Sequence, residues 1–139
     1  MSISQRNLLR EYRFLKIRIR RLEKEIEELQ LDAQSVSGVS YEERLASNRS
    51  QEAPFEKLVF RIREKEAKKL ELLNELYAKV DEVEAIIASV EDERKKAILE
   101  FHYLDAMKFE DIAEKMNYSV ERIYQLHREE IRRIEDEDK

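Results

Sequence analysis

The chain has 139 residues with one Gly, one Pro and no Cys, and 42% of its residues are charged. Turns between strands draw on Gly and Pro, so a strand-rich fold is excluded, and the abundance of Glu, Lys, Arg, Leu and Ile points to long helices. The lack of Cys excludes a disulfide scaffold and any thiolate metal site. Charges recur too often for a signal peptide or membrane span, so a cytoplasmic protein with no membrane contact is expected.

The net charge of −5 is unevenly spread. Residues 1–32 carry 8 Lys/Arg against 6 Asp/Glu, residues 33–90 carry 9 against 11, and residues 91–139 carry 10 against 15. Within the first stretch, residues 6–24 hold 8 basic side chains and only Glu11 and Glu23 as acids. Such a run can track phosphates, although a solvated helix flank is the preferred reading. The closing Glu135-Asp136-Glu137-Asp138 reads as an acidic tail over 135–139.

The first helix is expected from about Ser4 to Leu31. Leu8, Tyr12, Leu15, Ile19, Leu22, Ile26 and Leu29 step by four and three without a break, which is a heptad seam. Isoleucine at a and leucine at d favour a parallel dimer, so these seven residues are the expected oligomerisation surface; an intramolecular helical hairpin satisfies the same seam. Residues 33–54 are rich in Ser and hold Gly38 and Pro54, and they read as a linker with at most a helical turn near Tyr41 to Leu45. Pro54 suits the first position of a second helix. That helix is expected over 55–88, with Phe55, Val59, Ile62, Leu73, Leu76, Val80, Val83 and Ile87 again in four-three steps. Glu66 and Lys69 interrupt its seam. Coiled-coil region and linker together span 1–88.

Ser89 followed by Asp92 resembles a capping box, so a break is placed at Ser89. Three short helices are expected beyond it, at about Val90–Leu104, Phe109–Met116 and Val120–Asp136. The last two have the grammar of a helix-turn-helix. Ala113 is small enough for a close helix crossing. Asn117 tolerates left-handed φ in the turn. Tyr118 plugs the turn, and Ser119 is a good N-cap. Ile112, Met116, Val120, Ile123 and Leu126 face inward, closed by Ile98, Leu99 and Phe101. Opposite to Ile123 lie Gln125, Glu121, Arg128 and Arg132, with Arg122 on the flank. Gln can pair with adenine, Glu can accept from cytosine, and Arg can hold guanine or phosphate.

Asp111-Ile112-Ala113-Glu114 and Ser119-Val120-Glu121-Arg122-Ile123-Tyr124-Gln125-Leu126 resemble the helix-turn-helix of sigma-factor region 4. The whole chain resembles small phage and prophage proteins of Gram-positive bacteria akin to the RinA/ArpU late transcription regulators, a domain-of-unknown-function group. The likeness is specific over 91–134 and generic over the coiled coil. It implies an all-α fold: a long helical hairpin or coiled coil, then a three-helix helix-turn-helix bundle over 89–134. It also implies base reading by Glu121 and Gln125 and backbone contact by Arg122. Val120 stands where Arg is common in the family, Glu129 where Lys is common, and Ala106 and Lys108 replace the usual Gly and Ser/Thr.

The DNA-contacting set is therefore Ser119, Glu121, Arg122, Tyr124, Gln125, Arg128 and Arg132. The expected function is transcription regulation through helix 120–134 in the major groove. The expected partners are double-stranded DNA, a second copy of the chain and RNA polymerase. The alternatives are a coiled-coil adaptor without DNA binding of its own, or a small DNA-recognition subunit of phage packaging. His102 and His127 have no carboxylate at metal-ligand spacing and are read as structural. No nucleophile motif or phosphate loop is present, so neither catalysis nor a cofactor is expected.

Overall fold

The computed structural model describes residues 3–37 and 49–139. Among these there is no strand, and the fold is a long N-terminal helical hairpin followed by a C-terminal helical bundle. Helix α1 spans Gln5–Ser37 and α2 spans Arg49–Ala88. The bundle holds α3 (Glu93–Leu99), which runs on through a π turn at Glu100–Leu104, then α4 (Phe109–Met116) and α5 (Val120–Glu137).

Helix α1 runs six residues past the expected end at Leu31, to Ser37. The seam explains why: Ala33 and Val36 continue its four-three spacing, and both are half-buried. Helix α2 begins at Arg49, so Pro54 lies inside it rather than at its first position. Pro54 is the sixth residue of α2, past the first turn whose N–H groups lack intrahelical partners, so its missing N–H removes one intrahelical bond. The helical turn expected at Tyr41 to Leu45 lies outside the described residues.

Two compact units divide the chain. In Arg18–Leu73, α1 and α2 run antiparallel: Lys65 Nζ pairs with Glu25 at 2.7 Å and Lys69 Nζ with Glu23 at 3.4 Å, so one number falls as the other rises. Lys69, which breaks the apolar seam in the sequence, thus bridges to the facing helix. Ile19, Ile26 and Leu72 are buried in this unit, and Leu22 and Leu29 are half-buried. Each fully buried aliphatic side chain contributes roughly 1.5–3 kcal/mol.

The second unit joins the chain up to Ile17 with Asn74–Lys139. Leu8, Leu9, Tyr12 and Leu15 are buried here, as are Leu76, Val83, Ile86 and Ile87. Five of the seven seam residues, Leu8, Tyr12, Leu15, Ile19 and Ile26, are therefore buried within one chain. Ser89 turns its hydroxyl back to the Ile86 carbonyl (2.6 Å), and Asp92 is the N-cap of α3, accepting from the Arg94 and Lys95 backbone N–H groups. Ser89 and Asp92 are both good caps, but the Ser89 hydroxyl is used on α2 and Asp92 caps the next helix, so α3 starts at Glu93 and not at Val90. Hydrogen bonding from the Arg94 side chain, aided by those backbone donors, holds the Asp92 carboxyl down at about 2 against its burial.

Helix α1 is tied to the bundle by polar contacts. Arg13 Nε donates to the His102 carbonyl at 3.1 Å and its Nη2 to the Met107 carbonyl at 3.5 Å. Arg6 pairs with Glu135, and the Gln5 backbone N–H donates to Asp138 at 3.0 Å. The acidic run is thus mostly the last turn of α5: Glu135 and Asp138 engage α1, Glu137 pairs with Arg133, and Asp136 lies 3.9 Å from Lys139 Nζ.

His102 and His127, 25 positions apart, meet with ring centroids 5.6 Å apart. His102 stacks on Phe109 and its Nδ1 lies 2.8 Å from the Met107 carbonyl, so Nδ1 carries the proton. His127 Nε2 lies 2.7 Å from the Tyr103 hydroxyl. Burial pushes the Tyr103 phenol up to about 12, which keeps it protonated and able to donate to that nitrogen. Burial likewise pushes both imidazoles down to about 4, with the neighbouring His102 and Arg6 adding to the effect at His127. Both are neutral in the folded state, whereas unfolded histidine takes up a proton near pH 6.5. Their contribution is therefore complete above that pH and is lost as pH falls toward 4. Urea denaturation at pH 7, 5.5 and 4.5 should show a loss of roughly 2–4 kcal/mol that is largely absent in a His102→Gln, His127→Gln double variant. Equal pH profiles for the two proteins would dismiss this origin.

Candidate nucleic-acid interface

The core of the bundle is Ile98, Ile112, Ala113, Ile123 and Leu126, with Phe101, Met107, Phe109, Met116, Tyr118 and Val120 packed around it. Helices α4 and α5 are joined by three residues, Asn117 to Ser119. Asn117 adopts φ 59° and ψ 41°, the left-handed conformation that Asn accepts at lower cost than most residues. Its N–H bonds the Glu114 carbonyl, and the Tyr118 N–H reaches back to Ala113 at 3.0 Å. This pair of bonds is a Schellman closure, which stops α4 and redirects the chain. Ser119 then caps α5, its hydroxyl accepting from the Arg122 N–H at 3.1 Å. A second left-handed residue, Ala106 at φ 57°, stands before α4. An alanine there carries the strain a glycine would avoid.

Helix α5 is sharply two-sided. Ile123, Leu126, Ile131 and Ile134 are buried, and so is Glu130, which accepts from Arg133 Nε at 2.6 Å. On the other side Glu121, Gln125, Arg128, Glu129 and Arg132 are exposed, with Arg122 half-buried beside them. Arg128 and Arg132 form no ion pair among the described residues. Three of the other four are linked: Arg122 Nη1 donates to Gln125 Oε1 at 2.9 Å, and Gln125 Nε2 donates to Glu129 Oε1 at 3.3 Å. Lys95 of α3 closes the row, its Nζ 3.2 Å from Glu129 Oε2. Hydrogen bonding from Lys95 lowers the Glu129 carboxyl against its burial, with further help from Gln125 and Arg122.

Five of the seven residues expected from sequence to contact DNA therefore share one solvent-facing strip. Ser119 is exposed at its end, where its oxygen serves the cap. Tyr124 is turned aside: its hydroxyl donates to Glu110 at 3.3 Å and its ring meets Phe109 edge-on at 5.0 Å. Lys95 and Glu129 were not among the expected seven. Their pairing joins α3 to α5, and no spacing within either helix signals it.

A family model described as "Protein of unknown function (DUF1492)" matches residues 47–135. The chain belongs to the DUF1492 family. The matched stretch begins after α1 and takes in α2 and the bundle to within two residues of the end of α5. No curated protein and no solved structure matches the chain. Among the described residues of this DUF1492 chain, no helix is long and apolar enough to cross a membrane, and no three His, Asp or Glu side chains gather as metal ligands.

Proposed function

We propose that this DUF1492 chain is a DNA-binding regulator of transcription that lays α5 in the major groove. The observation that carries the reading is the two-sided α5. Ile123, Leu126, Ile131 and Ile134 of its apolar face are buried in the bundle, while Glu121, Gln125, Arg128 and Arg132 stand exposed along the other face behind an N-capped turn. Gln125 and Glu121 are the base-reading residues in this proposal, and Arg122, Arg128 and Arg132 hold phosphate or guanine. The resemblance to sigma-factor region 4 and to phage RinA/ArpU-type regulators supports it and adds RNA polymerase as a candidate partner. A homodimer would supply a second half-site. Because Leu8, Tyr12, Leu15, Ile19 and Ile26 are covered within one chain, pairing has to use another surface or open the hairpin.

Fluorescence anisotropy on labelled duplexes from the protein's own gene neighbourhood, titrated from low to physiological salt, tests the proposal. Wild type should bind in a salt-dependent manner. Gln125→Ala should lose sequence preference, and Arg122→Ala should weaken binding to every duplex by about tenfold with a shallower salt slope. Absence of binding even at low salt would favour an adaptor role, and a ring of many subunits in native mass spectrometry would favour phage packaging.

A further inference from the structure

The row Arg122–Gln125–Glu129–Lys95 constrains the one amide on the reading face. A carboxamide offers an oxygen with two acceptor sites and a nitrogen with two N–H groups. Arg122 takes one acceptor site of Gln125 Oε1, and Glu129 takes one N–H of Nε2. Flipping the amide would set its oxygen against the Glu129 carboxylate and its N–H groups against the Arg122 guanidinium, so the two neighbours fix one orientation. One acceptor site and one N–H are left over. That is the complement of adenine in the major groove, which presents the N6 amino group as donor and N7 as acceptor.

We propose that Glu129 is a positioning residue that presets Gln125 for adenine, and that it does so at the expense of backbone affinity by occupying Lys95. This rests on the DNA-reading proposal above. The same carboxylate that orders the amide neutralises a cation lying beside the strip, at 3.2 Å, and places a negative charge there. Glu129 therefore exchanges general affinity for discrimination. Its side chain is 45% exposed, so its replacement leaves the bundle core intact.

The test uses the full chain and two labelled probes: a random-sequence duplex pool, and the duplex that wild type enriches from that pool, with each A·T pair changed in turn to G·C. Glu129→Gln should bind the pool about threefold to tenfold more tightly than wild type, with a salt slope steeper by about one ion as Lys95 becomes available. Its penalty for replacing the preferred A·T pair should shrink by a similar factor. In Glu129→Gln with Lys95→Met the gain on the pool should vanish while discrimination stays low. If wild type discriminates through Gln125 but Glu129→Gln changes neither affinity nor discrimination, the positioning role is wrong and the DNA reading stands. If neither wild type nor Glu129→Gln binds either probe at low salt, both fall.

Discussion

Replacing Ile123 by alanine should destabilise the bundle by about 2–5 kcal/mol and abolish whatever α5 binds. Ile123 is completely buried where α5 crosses α4, in a core that also holds Ile98, Ile112, Ala113 and Leu126. Ala113 is already the smallest side chain that packs there, so no neighbour on α4 can grow into the space vacated. The cost therefore includes both the lost transfer free energy and a cavity that cannot collapse. Hydrogen exchange locates the effect: amides of 110–134 should exchange faster, while those of Arg18–Leu73, a separate compact unit, should change little. A urea midpoint equivalent to a loss below about 1 kcal/mol would mean that this core repacks freely, contrary to its close-packed helix crossing.

The second large effect is electrostatic. Arg128→Glu combined with Arg132→Glu should reduce affinity for duplex DNA by roughly a hundredfold to a thousandfold at low salt, and flatten the salt slope by about two ions. These two guanidinium groups are exposed and form no ion pair among the described residues, so they are available to phosphate without first breaking a partner. Arg122 and Lys95 are differently placed, since each already has a partner on the surface. The double variant should keep its far-UV circular dichroism, because both side chains lie opposite the buried face of α5. Unchanged binding by the folded variant would remove α5's outer strip from the interface and leave the acidic balance of residues 91–139 without a local exception.

The sequence was most legible where a residue's role depends on its own helix. The four-three seam, the Asn117 turn and the Ser119 cap all follow from spacings of a few residues. The end of α1 was misjudged because Ala33 and Val36 are weak markers of a seam that nonetheless continues through them. The start of α3 is less legible, because Ser89 and Asp92 are both good caps and only the structure shows the Ser89 hydroxyl turned back to Ile86. Contacts between distant helices left no trace in any local pattern: the meeting of His102 with His127, the grip of Arg13 on two carbonyls, and the Lys95–Glu129 pair. The strip on α5 was legible as a face, but the bonds ordering it needed the positions of α3 and of successive rotamers.

The tie between the start of α1 and the end of α5 has a consequence for synthesis. Arg6 reaches Glu135 and Gln5 reaches Asp138, across sequence separations of 129 and 133. A ribosome adding about 5–20 residues per second needs on the order of 6–25 seconds to make that interval. For much of it, Leu8, Leu9, Tyr12 and Leu15 have been made while part of the unit that will bury them does not yet exist. The nascent chain is thus an amphipathic helix with an uncovered greasy stripe, a natural client for a holding chaperone. Slow translation should raise its aggregation, whereas a permuted chain that brings α1 directly after α5 should fold with less help.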